Sequence, residues 1–350
     1  MNISITKTDS SKLVSVDFSN LPFGKIFSDH MFIVDFIDNA WQAPKIVPFG
    51  KMEVSPSVSA LHHGQSIFEG LKAYKNNKGE IVLFRPLDNF KRLNKSAQRM
   101  CMPEVPEDLF MSGLKQLVDL DKNWVPTGEG NSLYIRPIYF ATDEAIGVKP
   151  SENYRLVIFT SPAGPYFNKP IDVVVERHYS RSAEGGTGYA KAAGNYGGAM
   201  YPTKLAQQKG FDAVLWTDAI ENKWLEEGGA MNLMFVFGES LVTPPLSNSK
   251  LAGVTRNTIL TIAKDWGIDV IERNISIDDL LEQYKLGNVK EAFGCGTAAN
   301  ISHINSITVG EQKLALPAIE TRNFSNKMLK YLNDYRLGIL EDKFVWMQKV

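Results

Sequence analysis

GGTGYAKAAGNYGG, residues 185–198, places a single amine, Lys191, between Ala190 and Ala192 in a run rich in glycine. Neighbours without bulk let another molecule approach the backbone closely. A lysine packed in such surroundings sheds solvation, which favours the neutral amine that an imine-forming nucleophile requires. Two phosphate-loop readings fail. A nucleotide P-loop needs Gly-Lys followed by Ser or Thr, whereas Ala190 precedes Lys191 and Ala192 follows it. A dinucleotide fingerprint needs a third glycine where Lys191 stands, since Gly186 and Gly188 supply only the first two. The plain alternative is a mobile glycine loop carrying an incidental lysine.

Working outward, 350 residues with 44% hydrophobic content suffice for a sizeable core and suggest two domains. A net charge of −1 gives no general attraction to nucleic acid or to an anionic membrane. No apolar run is long enough to span a bilayer, and MNISITKTDSSK lacks the apolar centre of a secretory signal. The two cysteines, Cys101 and Cys295, form no disulfide framework and read as reduced packing thiols. A cytoplasmic protein is expected.

Strand and helix signals alternate without internal repeats. MFIVDFI (31–37), EIVLFR (80–85), NSLYIRPIYF (131–140) and YRLVIFTS (154–161) read as strands, with two helices between the second and third. One helix aligns Phe90, Leu93, Ala97 and Met100. The other starts near Pro106 and aligns Leu109, Phe110, Leu114, Leu117 and Val118. PAGPYFNKP (162–170) carries three prolines and a glycine, as an interdomain linker would. Beyond it come IDVVVER (171–177), DAVLWT (212–217), MNLMFVF (231–237) and ESLVTPP (239–245) as strands. A helix follows from about Thr255, another is capped by Ser276 with Asp279, and a last one presents Phe324, Met328, Leu332 and Tyr335. The pattern is mixed α and β.

Other segments pair hydrophobic strands with polar groups that a core does not choose for itself. LEEGGAMN (225–232) places Glu226 and Glu227 before a glycine pair; adjacent glutamates ordinarily mark a solvated turn. In a cofactor site, one carboxylate can instead keep a pyridine nitrogen protonated and the ring a stronger electron sink. LAGVTRNT (251–258) is a glycine turn at a helix start, where backbone N–H groups and the dipole suit a phosphate. FGCGTAAN (293–300) offers a second glycine turn with the Thr297 hydroxyl. Arg92 can lend a guanidinium to an anion, though alone it reads as a surface arginine. An amine for an aldehyde, a carboxylate for a ring nitrogen and helix-start amides for a phosphate together fit pyridoxal phosphate.

At this point the sequence resembles the branched-chain amino acid aminotransferases, of the fold-type IV class of pyridoxal-phosphate enzymes. The matching motifs run in order: HHGQSIFEGLKAY (62–74), LFRPLDNFKRL (83–93), YIRPIYF (134–140), PAGPYF (162–167), GGTGYAKAAGNYG (185–197), LEEGGAMN, LAGVTRNT and FGCGTAAN. The resemblance implies an α+β fold, with a small α/β N-terminal domain over 1–163, a linker over 164–174 and a larger pseudo-barrel domain over 175–350. It implies pyridoxal 5'-phosphate, no metal, and a homodimer. By position it implies that Lys191 joins the cofactor aldehyde and is the catalytic residue. Glu227 rather than Glu226 would face the pyridine nitrogen, and Tyr196 the ring oxygen. Arg92, the backbone amides of Val254 and Thr255, and the Thr297 hydroxyl would hold the phosphate. Thr297 and Ala298 would receive the substrate α-carboxylate, and Phe68, Tyr134, Arg136 and Tyr166 would line the substrate pocket.

The activity so implied moves the amino group of L-leucine, L-isoleucine or L-valine to 2-oxoglutarate. The pocket must then take both an aliphatic side chain and a γ-carboxylate, with Arg136 at its rim among protein partners, because a buried unpaired guanidinium is costly. Two departures stand out. His63 occupies a position where many relatives have a pocket tyrosine. Ala299 and Ser302 replace a Cys-x-x-Cys pair of mammalian relatives, so that redox switch should be absent. D-amino acid aminotransferases and aminodeoxychorismate lyases share the scaffold, and a non-catalytic pyridoxal-phosphate carrier is the reading from another class. Retention of Lys191 together with Glu227 argues against the carrier.

Overall fold

The computed structural model describes residues 2–166 and 169–350. Phe167 and Asn168 of the expected linker, the former also the last residue of the PAGPYF motif, lie outside the described residues. The chain forms two compact units. The first comprises Met1–Tyr166, Ala190–Gly194 and Asn333–Val350, and the second Phe167–Tyr189 and Asn195–Leu332.

The first unit holds a ten-stranded sheet. Its strands are β1 (Ser4–Ile5), β2 (His30–Ile37), β3 (Ala40–Trp41), β4 (Lys45–Pro48), β5 (Ser66–Phe68), β6 (Leu71–Lys75), β7 (Ile81–Phe84), β8 (Ser132–Ala141), β9 (Tyr154–Ala163) and a C-terminal strand, Met347–Lys349. The path runs β1-β4-β2-β9-β8-β6-β7 and ends on the C-terminal strand, which pairs antiparallel with β7. Helices α1 (Ser59–His63), α2 (Pro86–Arg99) and α3 (Glu107–Leu120) accompany it. On α2 the buried Phe90, Leu93 and Ala97 recur at helical spacing, with Pro86 opening the helix and Asp88 in its first turn. They share one core with Leu109, Phe110, Leu114, Leu117 and Val118 of α3 and with Leu71, Ala73, Leu133 and Ile135 of the sheet. Fully burying each such side chain contributes about 1.5–3 kcal/mol. Because successive strand residues face opposite ways, packing Leu133 and Ile135 inward turns Tyr134 and Arg136 to the other face. Lys72 stands directly across from Tyr134 in the β6–β8 pairing.

The second unit closes on itself. Its strands are β10 (Ile171–Glu176), β11 (Ala213–Thr217), β12 (Leu225–Gly228), β13 (Met231–Phe237), β14 (Ser240–Thr243), β15 (Val270–Glu272), β16 (Val289–Gly296), β17 (Asn300–Val309) and β18 (Gln312–Ala315). The order β12-β11-β10-β17-β16-β13 is completed by pairing of β13 back onto β12, which makes a ring of strands. Closure leaves those strands no open edge. Ile171, Val173, Leu215, Leu233, Phe235, Ala292, Ile304 and Ile307 belong to the buried core of this unit. The parallel pair β10–β11 is joined through α4 (Ala193–Gln208), as a parallel connection requires. Helices α5 (Val254–Asp265), α6 (Ile277–Lys285) and α7 (Asn323–Arg336) follow. The Ser276 hydroxyl caps α6 by accepting from the Asp279 N–H at 3.0 Å, as the sequence implied. Among the described residues no helix is long and apolar enough to cross a membrane.

The structure departs from the sequence reading in two places. Ile171 to Val174, inside the stretch expected as linker, already belong to β10. Ala190–Gly194 and Asn333–Val350, expected in the second domain, group with the first unit, which thereby has more residues than the second. The residues after Lys191 form α4 although Gly194, Gly197, Gly198 and Pro202 lie within it. Glycine and proline weaken a helix by about 1 and 3 kcal/mol each, so tertiary packing must hold it.

Candidate active site

In the first unit, Lys191 is pinned on both sides by backbone contacts. Its N–H donates to the Ser96 hydroxyl at 2.9 Å, and its carbonyl accepts from the Phe68 N–H at 3.1 Å. Ala192 bridges Ile67, and both alanine neighbours are buried in the core. The segment around Lys191 is therefore held against the first unit rather than left as an unattached loop. The half-buried side chain carries its Nζ 4.8 Å from the centre of the Phe68 ring.

Arg92 is buried on α2, not at the surface. Its Nε donates to Glu69 Oε1 at 2.7 Å and one terminal nitrogen to Oε2 at 2.9 Å, a forked pair. Glu69, with no exposed surface, also accepts from Asn89 Nδ2 at 2.9 Å and from the Gly70 N–H at 3.0 Å. Burial pushes its carboxyl upward, but the Arg92 charge and hydrogen bond, the Lys191 charge and Asn89 together hold it below the usual carboxylate value. The FEG motif alone gives Glu69 no task, because partners 23 residues apart leave no spacing signal.

Phe68, Tyr134 and Arg136 form one surface. The Arg136 guanidinium lies 4.7 Å from the Phe68 ring centre and 5.3 Å from that of Tyr134, and it donates to the Tyr134 hydroxyl at 3.1 Å. It is half-buried, with aromatic faces and a hydroxyl as partners, and its Nε is buried without a hydrogen-bond partner. Gly70 makes room for this arrangement, since an added Cβ would stand 2.1 Å from the Tyr134 hydroxyl oxygen. Tyr166 is 47% exposed and meets Phe23 edge-on, and Phe23 in turn meets Tyr134. Phe23 carries no motif and was not anticipated. His63 is exposed on α1 with Nδ1 3.5 Å from the Ser59 hydroxyl. Lys72 is buried, and burial, then the Arg336 charge, push its amine down to about 7.

In the second unit, Glu226 and Glu227 lie buried on β12 rather than in a solvated turn. Strand alternation sends them opposite ways, and each finds its own cation. Glu226 accepts from the Ser249 hydroxyl and from Lys250 Nζ, the latter at 3.1 Å. Glu227 Oε1 accepts from Asn232 Nδ2 at 2.9 Å and from the Leu251 N–H at 3.0 Å, while its Oε2 lies 2.8 Å from Arg181. Val254 and Thr255, both buried, open α5. Gly253, at the cap, has no side chain with which to satisfy the first N–H groups of that helix. Thr297 and Ala298 are half-buried on the turn joining β16 to β17, and Tyr196 is half-buried in the first turn of α4. Cys295 is buried on β16, and burial pushes its thiol up to about 12. Arg181, like Glu69, has a partner too distant in sequence to leave a spacing signal.

Each unit offers groups of the kind a phosphorylated pyridine aldehyde requires: the first an amine and a buried arginine, the second uncapped helix-start amides and a rigidly held carboxylate.

Residues 66–307 match the class IV amino-transferase family. The chain is 41% identical over 345 residues to branched-chain-amino-acid aminotransferase 2 of Bacillus subtilis (strain 168), covering 97% of this chain and 95% of that one. Among solved structures, the branched-chain aminotransferase of Thermoproteus uzoniensis with norvaline has a TM-score of 0.75 at 25% identity, covering 91% of this chain and 99% of that one. The branched-chain amino acid aminotransferase from Escherichia coli has a TM-score of 0.70 at 27% identity, covering 90% and 98%. The chain belongs to the branched-chain amino acid aminotransferases of class IV. It has the type IV fold, and it is an aminotransferase.

Proposed function

We propose that this enzyme transfers the amino group of L-leucine, L-isoleucine or L-valine to 2-oxoglutarate, giving the branched-chain 2-oxo acid and L-glutamate. Lys191, Arg92, Tyr196, Glu227, Val254, Thr255 and Thr297 hold pyridoxal 5'-phosphate. The bound cofactor supplies the aldehyde and the electron-withdrawing ring. Lys191 would hold the cofactor at its aldehyde, and its Nζ would be the group that moves the proton of the substrate Cα. Glu227 keeps a proton on the ring nitrogen. Arg92, the Val254 and Thr255 amides and the Thr297 hydroxyl bind phosphate, while Thr297 and Ala298 receive the α-carboxylate.

The observation that carries the substrate reading is the surface built from Phe68, Tyr134 and Arg136 beside the Lys191 amine. Aromatic faces suit an aliphatic side chain. A guanidinium held by ring faces and one hydroxyl, with its Nε lacking an acceptor, leaves the aromatic faces for leucine and keeps a charge and a donor for a γ-carboxylate. Tyr166 extends this wall. A stereospecific assay tests the reading: L-leucine with 2-oxoglutarate should give glutamate, and D-alanine should not. Turnover of D-alanine without L-leucine would replace it with a D-amino acid aminotransferase. From the family resemblance we also propose a cytoplasmic homodimer, which light scattering on the eluted holoenzyme tests for assembly. The first unit would be the N-terminal domain and the second the cofactor domain.

A further inference from the structure

We infer that Arg181 is a positioning residue that decides where the proton shared by Glu227 and the cofactor ring nitrogen resides. The inference rests on the proposed role of Glu227. Arg181 lies ten residues before Lys191 in sequence, and its side chain is as buried as that of Glu227, at 7% and 4% exposure. One terminal nitrogen lies 2.8 Å from Glu227 Oε2. The same nitrogen donates to the Ser249 carbonyl at 3.0 Å, and the fork reaches the Gly188 carbonyl at 3.4 Å. Gly188 is packed so closely on Ser249 that an added Cβ would stand 2.2 Å from the Ser249 carbonyl oxygen. Arg181 therefore ties together a carboxylate, the loop that leads to Lys191 and the segment after β14. The two N–H donors on Glu227 Oε1 fix the orientation of the carboxylate, but neither carries a charge.

A buried carboxylate and a pyridine nitrogen compete for one proton. If the carboxylate takes it, the ring loses its positive charge and with it the electron withdrawal that acidifies the substrate Cα. An adjacent cation lowers the proton affinity of a carboxylate by about 1–3 pK units, a roughly ten- to thousandfold shift of that partition toward the ring. Arg181 supplies such a cation at hydrogen-bond range, from a position with no solvent to screen it. Glu226, on the opposite face of β12, has Lys250 instead and is insulated from this balance.

The test uses two readouts. In the apo-protein at neutral pH, Arg181→Gln should show the infrared carbonyl band of a buried protonated carboxyl. The band should be missing from the wild type and from Arg181→Gln/Glu227→Gln. In the loaded enzyme, the half-reaction with L-leucine should slow tenfold or more in Arg181→Gln, with a larger primary isotope effect for α-deuterated leucine. Arg181→Lys, which keeps the charge but not the fork, should show no band and an isotope effect close to the wild type. A merely structural arginine would lower melting temperature in both variants without moving either signature. Absence of the band in Arg181→Gln overturns the inference. Should that variant not fold, a half-reaction in Arg181→Lys as slow as in Glu227→Gln overturns it instead. Wild-type proton transfer in Glu227→Gln would defeat the Glu227 assignment itself, whereas an impaired Glu227→Gln beside an unimpaired Arg181→Gln defeats this inference alone.

Discussion

Replacing Glu69 by Gln tests how Arg92, the arginine proposed to bind the phosphate, is held. Glu69 has no exposed surface and accepts from Arg92 twice, from Asn89 and from the Gly70 N–H. A glutamine matches the volume but turns one acceptor into a donor facing donors, and leaves the Arg92 guanidinium buried without this counter-charge. Removing one member of a buried ion pair costs about 3–5 kcal/mol. At about 2–4 °C per kcal/mol for a unit of this size, Glu69→Gln should lower the apo-protein melting temperature by roughly 10 °C at neutral pH. Glu69→Gln/Arg92→Met, which leaves no orphaned charge, should recover part of that loss. Acid sets the sign of the pH dependence. The folded Glu69 carboxyl lies below its ordinary value of 4.5, so its contribution is complete above that pH and is lost as pH falls through the folded value. The gap between wild type and Glu69→Gln should therefore close on acidification. Circular dichroism melts across that range provide the assay. A single variant within about 1 kcal/mol of wild type, or a double variant no better than the single, would refute the reasoning.

Gly70→Ala should displace the Tyr134 hydroxyl and, through it, Arg136; steady-state kinetics should show KM for 2-oxoglutarate raised roughly tenfold, about 1.4 kcal/mol, with that for L-leucine changed less. Native alkylation should label Cys101, which is exposed, and spare Cys295, whose buried thiol is pushed up to about 12; peptide mapping after iodoacetamide checks it. Lys72, with its amine pushed from 10.5 down to about 7, binds fewer protons folded than unfolded between those values, so stability contributed there should rise with pH. Urea titrations of Lys72→Met should accordingly show a flatter pH dependence between about 7 and 10.5, its advantage over wild type being largest at and below pH 7.

The parts legible in the sequence were those written locally. Period-two runs such as IDVVVE and helical stripes such as Phe90, Leu93 and Ala97 announce which face is buried, and Ser276 with Asp279 announces a cap. The packed surroundings of Lys191 were legible because Ala190 and Ala192 are residues of the core. What sequence could not supply was distance. Arg92 meets Glu69, Glu227 meets Arg181, and the last strand crosses back to β7 from the far end of the chain. None of these pairings has a characteristic spacing. The glutamate pair was harder still, because composition argues for solvent and only the unseen cations make burial tolerable. Helix α4 carries no local signal of its own, because its glycines and proline disfavour a helix that tertiary packing holds.

The attachment of the cofactor to Lys191 carries the whole account, and borohydride reduction of the holoenzyme tests it most directly. Digestion and mass spectrometry of the reduced protein should find the phosphopyridoxyl mass on the peptide containing GYAKAAGNY, at Lys191. The same mass on another lysine, Lys72 or Lys250 included, or no trapped adduct from active enzyme, would contradict it.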